Sequence, residues 1–161
     1  MKKLLFVISM ISLSILFGGC PYSSKVPMDN PTEKINSKFI GTWDEQKDGD
    51  VYKISKKDDF NYEIEVTNKK NNSSKLDHYI AYSTVINGVT FMNISETSSD
   101  KKYMICKIET SGDDFIKVFM LTENIEEQFT APEKLKSFVS ANMKNSYLYD
   151  KDKMILIRNK N

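Results

Sequence analysis

The chain has few of the residues that most often carry catalytic or metal chemistry. Its 161 residues include one histidine, two cysteines and six glycines. A common zinc site needs three or four His, Cys or carboxylate ligands, and a Ser-His-Asp triad would have to use His78 without a Gly-x-Ser-x-Gly elbow. The glycines, two of them Gly18 and Gly19, form no phosphate-binding loop. We therefore expect no metal, no cofactor and no enzymatic activity.

An excess of charge of one sign is also missing. The chain has 23 basic and 22 acidic residues, and the only charges in residues 1–19 are Lys2 and Lys3. The remainder therefore has a net charge of −1. Because nucleic-acid binding needs concentrated positive charge, we expect no nucleic-acid partner.

The clearest apolar run is confined to the N-terminus. Two lysines precede an apolar run from Leu4 to Phe17, and two glycines and Cys20 follow it. The run is shorter than the ~20 apolar residues that span a bilayer. A basic start, a short apolar run and small residues at its end are typical of an export signal. With a cysteine in this place, residues 1–19 resemble a bacterial lipoprotein signal peptide.

This resemblance implies an address and an anchor. Residues 1–19 would be removed, and Cys20 would carry a diacylglyceryl group with fatty acyl chains such as palmitate. The implied location is the cell envelope, with the protein anchored in a membrane and facing outside the cytoplasm. Residues 20–36 contain three prolines and many small polar residues. Proline denies ladder hydrogen bonds and the polar residues offer nothing to bury, so we predict a flexible tether here.

Residues 37–161 are predicted to form one domain, in which apolar residues recur at every second position of the strands. Tyr62, Ile64 and Val66 alternate with polar residues, as in a half-buried antiparallel strand. Asn87-Gly88 separates two such runs and favours a type I′ hairpin turn. Cys106 is the only cysteine after Cys20, so no internal disulfide can form, and we predict that it packs as a small apolar residue.

One helix interrupts the strands. Thr130 and Glu133 fit a capping box, and an apolar stripe at helical spacing follows. We predict a helix from about Pro132 to Lys144, and then a last strand pair around residues 147–149 and 154–158. Four acidic pairs, predicted to lie in solvated turns, are Asp48/Asp50, Asp58/Asp59, Asp113/Asp114 and Glu126/Glu127.

An early Gly41-Thr42-Trp43, the strand meander, the late helix and a terminal strand ending in Arg158 resemble the calycin superfamily. That group includes lipocalins, fatty-acid-binding proteins and avidins. We therefore predict a mainly β fold, an antiparallel meander barrel of eight or nine strands with one C-terminal helix. The alternative is an open antiparallel sheet with one packed helix. The resemblance also implies that Trp43, the only tryptophan, stacks with Arg158, the only arginine, and closes the barrel.

Aromatic residues on the strands are candidates for lining a cavity, because an eight-stranded barrel either packs solid or holds one small ligand. These candidates are Tyr62, Tyr79, Tyr82, Phe91, Tyr103, Phe115 and Phe119. The sequence thus predicts a non-enzymatic envelope lipoprotein that binds a small apolar or amphipathic ligand. The alternative is a protein-interaction lipoprotein with a filled barrel, such as an inhibitor, an immunity protein or an assembly factor.

Overall fold

A computed structural model describes residues 21–67, 76–97 and 101–160. No helix within these ranges is long and apolar enough to cross a membrane. The strands and the helix, in chain order, are β1 (Ser23–Ser24), β2 (Gly41–Glu45), β3 (Val51–Lys56), β4 (Tyr62–Thr67), β5 (Leu76–Ile86), β6 (Val89–Glu96), β7 (Tyr103–Ser111), β8 (Phe115–Met120), α1 (Pro132–Asn142) and β9 (Met154–Arg158).

Strands β2 to β9 form a closed, antiparallel, eight-stranded barrel. Strands β2 to β8 each pair with the next strand along the chain, and β9 lies between β8 and β2. Closure leaves no barrel strand with a free edge, since every strand has two neighbours. The predicted meander barrel with one C-terminal helix is confirmed, and the open sheet is wrong.

The register places alternate residues inside the barrel. Tyr62, Ile64 and Val66 of β4 point inward, as their alternation predicts, and Ile64 pairs with Tyr79 of β5. The β5–β6 hairpin turns at Asn87, with φ of 50°, and at Gly88, with φ of 79°. Two consecutive positive φ values are those of the predicted type I′ turn.

A second core lies outside the barrel, under α1. The helix belongs to the connection between β8 and β9, and its buried Leu135 and Val139 pack with Phe91 of β6 and Ile105 of β7. Side chains on both faces of β6 and β7 are therefore buried, one face by the barrel interior and the other by the helix. This explains why these strands are apolar on both faces.

The segment predicted to be a tether packs against the barrel. Strand β1 pairs with the start of β7, and the side chains of Tyr22 and Met28 are 4% and 0% exposed. The backbone N–H of Met28 donates to Oδ1 of buried Asn93 over 2.8 Å. Strand pairing, two buried apolar side chains and this hydrogen bond together hold the segment on the barrel and the outer core.

Two local predictions near the helix are wrong: the capping box at Thr130, and the pairing of residues 147–149 with the last strand. The N-cap is Ala131, with no side-chain cap, rather than Thr130, and the helix ends at Asn142. Residues 146–148 form a 3-10 turn that buries Leu148 in the outer core. Strand β9 consequently pairs with β2 and β8, and not with residues 147–149.

Candidate ligand cavity

The barrel contains a cavity of about 370 Å³ that is partly open to the outside. Its wall is made by inward-facing side chains of strands β3 to β9, most of them aliphatic, methionine or aromatic. Small-molecule sites in proteins usually measure ~300–1,000 Å³ and are mostly apolar with a few placed polar groups. The volume and the chemistry of the wall therefore fall within the range of known small-molecule sites, which makes this cavity the candidate site.

One end of the cavity is closed by a 3-10 turn at residues 37–39. The Phe39 ring meets the Tyr62 ring edge-on, with centroids 6.0 Å apart. The Tyr62 hydroxyl accepts a hydrogen bond of 2.5 Å from the Asn36 N–H, and the Trp43 indole N–H donates to the Phe39 carbonyl over 2.9 Å. Because its hydroxyl is engaged in holding this floor, Tyr62 presents its ring to the cavity.

Trp43 and Arg158 are in contact below this floor. They are directly opposite in the β2–β9 pairing, and the guanidinium carbon of Arg158 lies 4.1 Å from the Trp43 ring centroid. The guanidinium also donates to three backbone carbonyls, those of Lys38 at 2.6 Å, Asp113 at 2.7 Å and Ile40 at 3.0 Å. One side chain thereby ties together the N-terminal turn, the β7–β8 hairpin and the last strand.

The other end of the cavity is its polar end. Asp50, Tyr52, Asp77 and Tyr79 line the cavity there, at the starts of β3 and β5. Oδ1 of Asp50 is buried and has no hydrogen-bond partner among the described residues. Burial raises the pKa of Tyr52 and Tyr79, and the neighbouring carboxylates, Asp50 and Asp77 respectively, raise them further. Both hydroxyls therefore stay protonated at neutral pH.

Of the aromatic residues predicted to line a cavity, Tyr62 and Tyr79 do so. Tyr82, Phe91 and Tyr103 lie instead on the outer face, towards the N-terminal segment and the outer core. The Tyr82 hydroxyl, for example, donates to the Asp29 carbonyl over 2.7 Å. Where both faces of a strand are covered, the alternation of apolar residues does not distinguish inside from outside.

Phe115 and Phe119 of β8 also point away from the cavity. Phe115 is 45% exposed, and Phe119 packs edge-on against Tyr149, with Nζ of Lys107 lying 4.3 Å from its ring centroid. The inward residues of this strand are Ile116, Val118 and Met120. Lys117 shares the outward face with Phe115 and Phe119, and this one charged residue is the signal that the sequence analysis missed.

The sequence analysis missed Asp50, Tyr52 and Asp77. Asp50 was predicted to lie in a solvated turn, and this is wrong because its Oδ1 is buried against the cavity. The signal that could have identified the two carboxylates is their spacing from the tyrosines. Asp50 is two residues before Tyr52, and Asp77 is two residues before Tyr79, so each carboxylate shares the inward face with a tyrosine.

Cys106 and His78 occupy different environments. Cys106 is fully buried in the cavity wall, and burial raises the pKa of its thiol to about 12. His78 is exposed on β5 and pairs across the strands with Glu65. Within residues 21–67, 76–97 and 101–160, no three His, Cys, Asp or Glu side chains are grouped as metal ligands.

The fold and the cavity together define a class of protein: a closed, eight-stranded antiparallel barrel with an apolar interior space. Comparison with protein-family models, curated proteins and solved structures found no match. The resemblances to calycins and to lipoprotein signal peptides therefore stay predictions. Cys20 and the segment before it lie outside the described residues.

Proposed function

We propose that this protein is a lipoprotein of the bacterial cell envelope whose barrel holds a small apolar or amphipathic molecule. The observation that carries the proposal is the cavity of about 370 Å³, walled almost entirely by apolar side chains. Transfer of apolar surface from water into such a space is favourable by ~25 cal/mol per Å². Binding, and not catalysis, is the chemistry that this wall supports.

The cavity favours a ligand carrier over a pure protein-interaction module. A barrel that only presented loops to a partner would gain stability by filling its interior, because each void loses dispersion contacts. Here Ala81 and Cys106, two small side chains, stand where larger residues would close the space. Within the ranges that the structure describes, the large apolar side chains with substantial exposure are Phe60, Leu76, Val85, Phe115 and Tyr147.

The N-terminal segment supports the proposed location. A basic start, a short apolar run and two glycines before Cys20 are the features that lead to export and lipid attachment. The lipid would anchor the protein stably, since two acyl chains gain ~0.8 kcal/mol for each buried CH₂. A metabolic label for acyl chains tests the anchor, with Cys20→Ser as the variant that should lose the label.

Native mass spectrometry of the full chain, released from the envelope in a mild detergent, tests the carrier function. We expect a discrete added mass, either from the source cells or after exposure to a lipid extract. Ala81→Phe should abolish it, because the new ring would project from β5 into the cavity. Val85→Phe is the matched control, since Val85 is on the same strand and is 43% exposed.

Two results would contradict the carrier function. One is a bare protein mass under every condition. The other is an added mass that survives in Ala81→Phe as it does in Val85→Phe, which would place the bound molecule outside the barrel. Circular dichroism of both variants checks that the barrel has formed.

A further inference from the structure

The charges around the cavity have one sign. Among the described residues that line it, the charged ones are Asp50 and Asp77, and there is no Lys, Arg or His. The net charge of the chain is close to zero, so the negative charge of the cavity wall is a local feature. An anionic ligand would meet two carboxylates and no cation in this wall.

The polar groups are gathered at one end. Tyr52 of β3 and Asp77 of β5 both pair with Val66 of the strand between them, so they stand at the same level. Strands lie ~4.8 Å apart, which separates the backbones of Tyr52 and Asp77 by roughly 10 Å. Asp50 is one inward position closer to this end of the barrel. The remainder of the cavity, down to Phe39, is apolar apart from the engaged hydroxyl of Tyr62.

Asp50 differs from Glu45, another carboxylate of the same hairpin. The Glu45 carboxylate accepts from the backbone N–H groups of Lys47, Asp48 and Gly49 and is satisfied within the turn. Oδ1 of Asp50 is buried with no hydrogen-bond partner among the described residues. A buried polar atom without a partner is costly, and a donor brought by a ligand would remove that cost.

We propose that the cavity takes an amphipathic cation, with a protonated amine at Asp50 and an apolar body extending towards Phe39. The proposal rests on the carrier function above and names the class of its ligand. An ammonium group supplies hydrogen-bond donors and positive charge together. The Tyr52 and Tyr79 hydroxyls belong to the same polar end and offer further oxygen acceptors to the ammonium group. Fatty acids and anionic phospholipids are the wrong class for this lining.

Competition among three ligands of equal chain length tests the proposal. Decylamine, decanol and decanoic acid are added together, at equal concentration, to the full chain in detergent, and native mass spectrometry measures the occupancy of each. We expect decylamine to exceed each of the other two at least tenfold. Tenfold in affinity corresponds to about 1.4 kcal/mol.

Three variants test whether the preference for decylamine depends on Asp50 and on the cavity. Asp50→Asn should lower decylamine occupancy about tenfold and leave decanol unchanged, because it removes charge but keeps shape. Asp48→Asn is the matched control: it removes the same charge two residues away, at an exposed position outside the cavity lining. In Ala81→Phe the new ring fills part of the cavity, so any ligand that this variant still binds is bound outside the cavity. Partition into detergent is the same for every variant and cancels in the comparison.

Each outcome has a distinct meaning. Decylamine preference that is lost in Asp50→Asn and kept in Asp48→Asn supports the inference. Equal occupancy by the three ligands, or an excess of decanoate, overturns the inference and leaves the carrier function standing. Binding of none of them overturns the inference, and the carrier function is then decided by the native mass measurement with a lipid extract described above. A preference for decylamine that persists in Asp50→Asn or in Ala81→Phe also overturns the inference, because the amine would not be held at Asp50.

Discussion

Replacing Arg158 with methionine should destabilise the barrel more than its partly exposed position suggests. The substitution keeps an apolar stem but removes the guanidinium that stacks on Trp43 at 4.1 Å. It also removes hydrogen bonds to the carbonyls of Lys38, Ile40 and Asp113. These carbonyls belong to two separate parts of the chain, the turn at residues 38–40 and the β7–β8 hairpin, so one change loosens the floor of the barrel in both places.

The expected loss can be worked out contact by contact. The stack on Trp43 is worth ~0.5–2 kcal/mol. The half-buried bond to the Ile40 carbonyl is a hydrogen bond from a charged group and is worth ~1.5–3 kcal/mol. The other two bonds are exposed, so solvent can replace them and they add little. We therefore expect the free energy of unfolding to fall by about 2–5 kcal/mol.

Thermal unfolding of the purified protein, followed by far-UV circular dichroism, measures this loss. At ~2–4 °C per kcal/mol for a chain of this size, Tm should fall by roughly 4–20 °C. Arg158→Lys should lose about half as much, since it keeps the charge but not the planar fork. Lys160→Met is the control, an exposed cation that pairs with Asp114. A change in Arg158→Met no larger than in Lys160→Met would refute the reasoning.

Three further predictions concern Gly41, Asn93 and Cys106. Gly41→Ala should lower Tm by several degrees, because φ is +141° and a Cβ would lie 2.5 Å from Nη1 of Arg158; an unchanged Tm would contradict this. Asn93→Ala should cost about 2–3 kcal/mol of unfolding free energy and speed amide hydrogen exchange at Met28, whose N–H it leaves without its acceptor; unchanged exchange at Met28 would count against it. The Cys106 thiol, with its pKa raised to about 12 by burial, should resist maleimide in the native protein at pH 8 and react after unfolding. Because the unfolded thiol ionises near pH 9 and the folded one near pH 12, stability should fall as pH rises between these values, less steeply in Cys106→Val.

The fold was predictable because several local signals agreed with one architecture. The alternation of Tyr62, Ile64 and Val66 defined an inward face, and Asn87-Gly88 defined a tight hairpin. The calycin resemblance placed Trp43 and Arg158 together, and they are opposite each other on β2 and β9. These features depend on short stretches of chain or on rare residues, so a single sequence is enough to recognise them.

The cavity was predictable in outline and not in detail. In β6, Phe91 and Met92 are adjacent and both apolar, and nothing local shows that Phe91 faces the helix while Met92 faces the cavity. That choice depends on where α1 and the N-terminal segment pack, which is a long-range property. Asp50 was misread for a related reason. A carboxylate beside glycine favours a turn, and only the closed barrel shows that the Asp50 side chain faces the cavity.

The N-terminal segment changes how far the barrel could stand from a membrane. A free chain over residues 21–36 could reach roughly 50 Å when extended. In the structure Pro21 already lines the cavity, at the end where β7 begins, and β1 is paired from residue 23. With the lipid on Cys20 as proposed, a single peptide bond separates the anchored residue from the cavity wall. The polar end of the cavity would then open at the bilayer surface, and a ligand could pass between membrane and barrel without crossing bulk water.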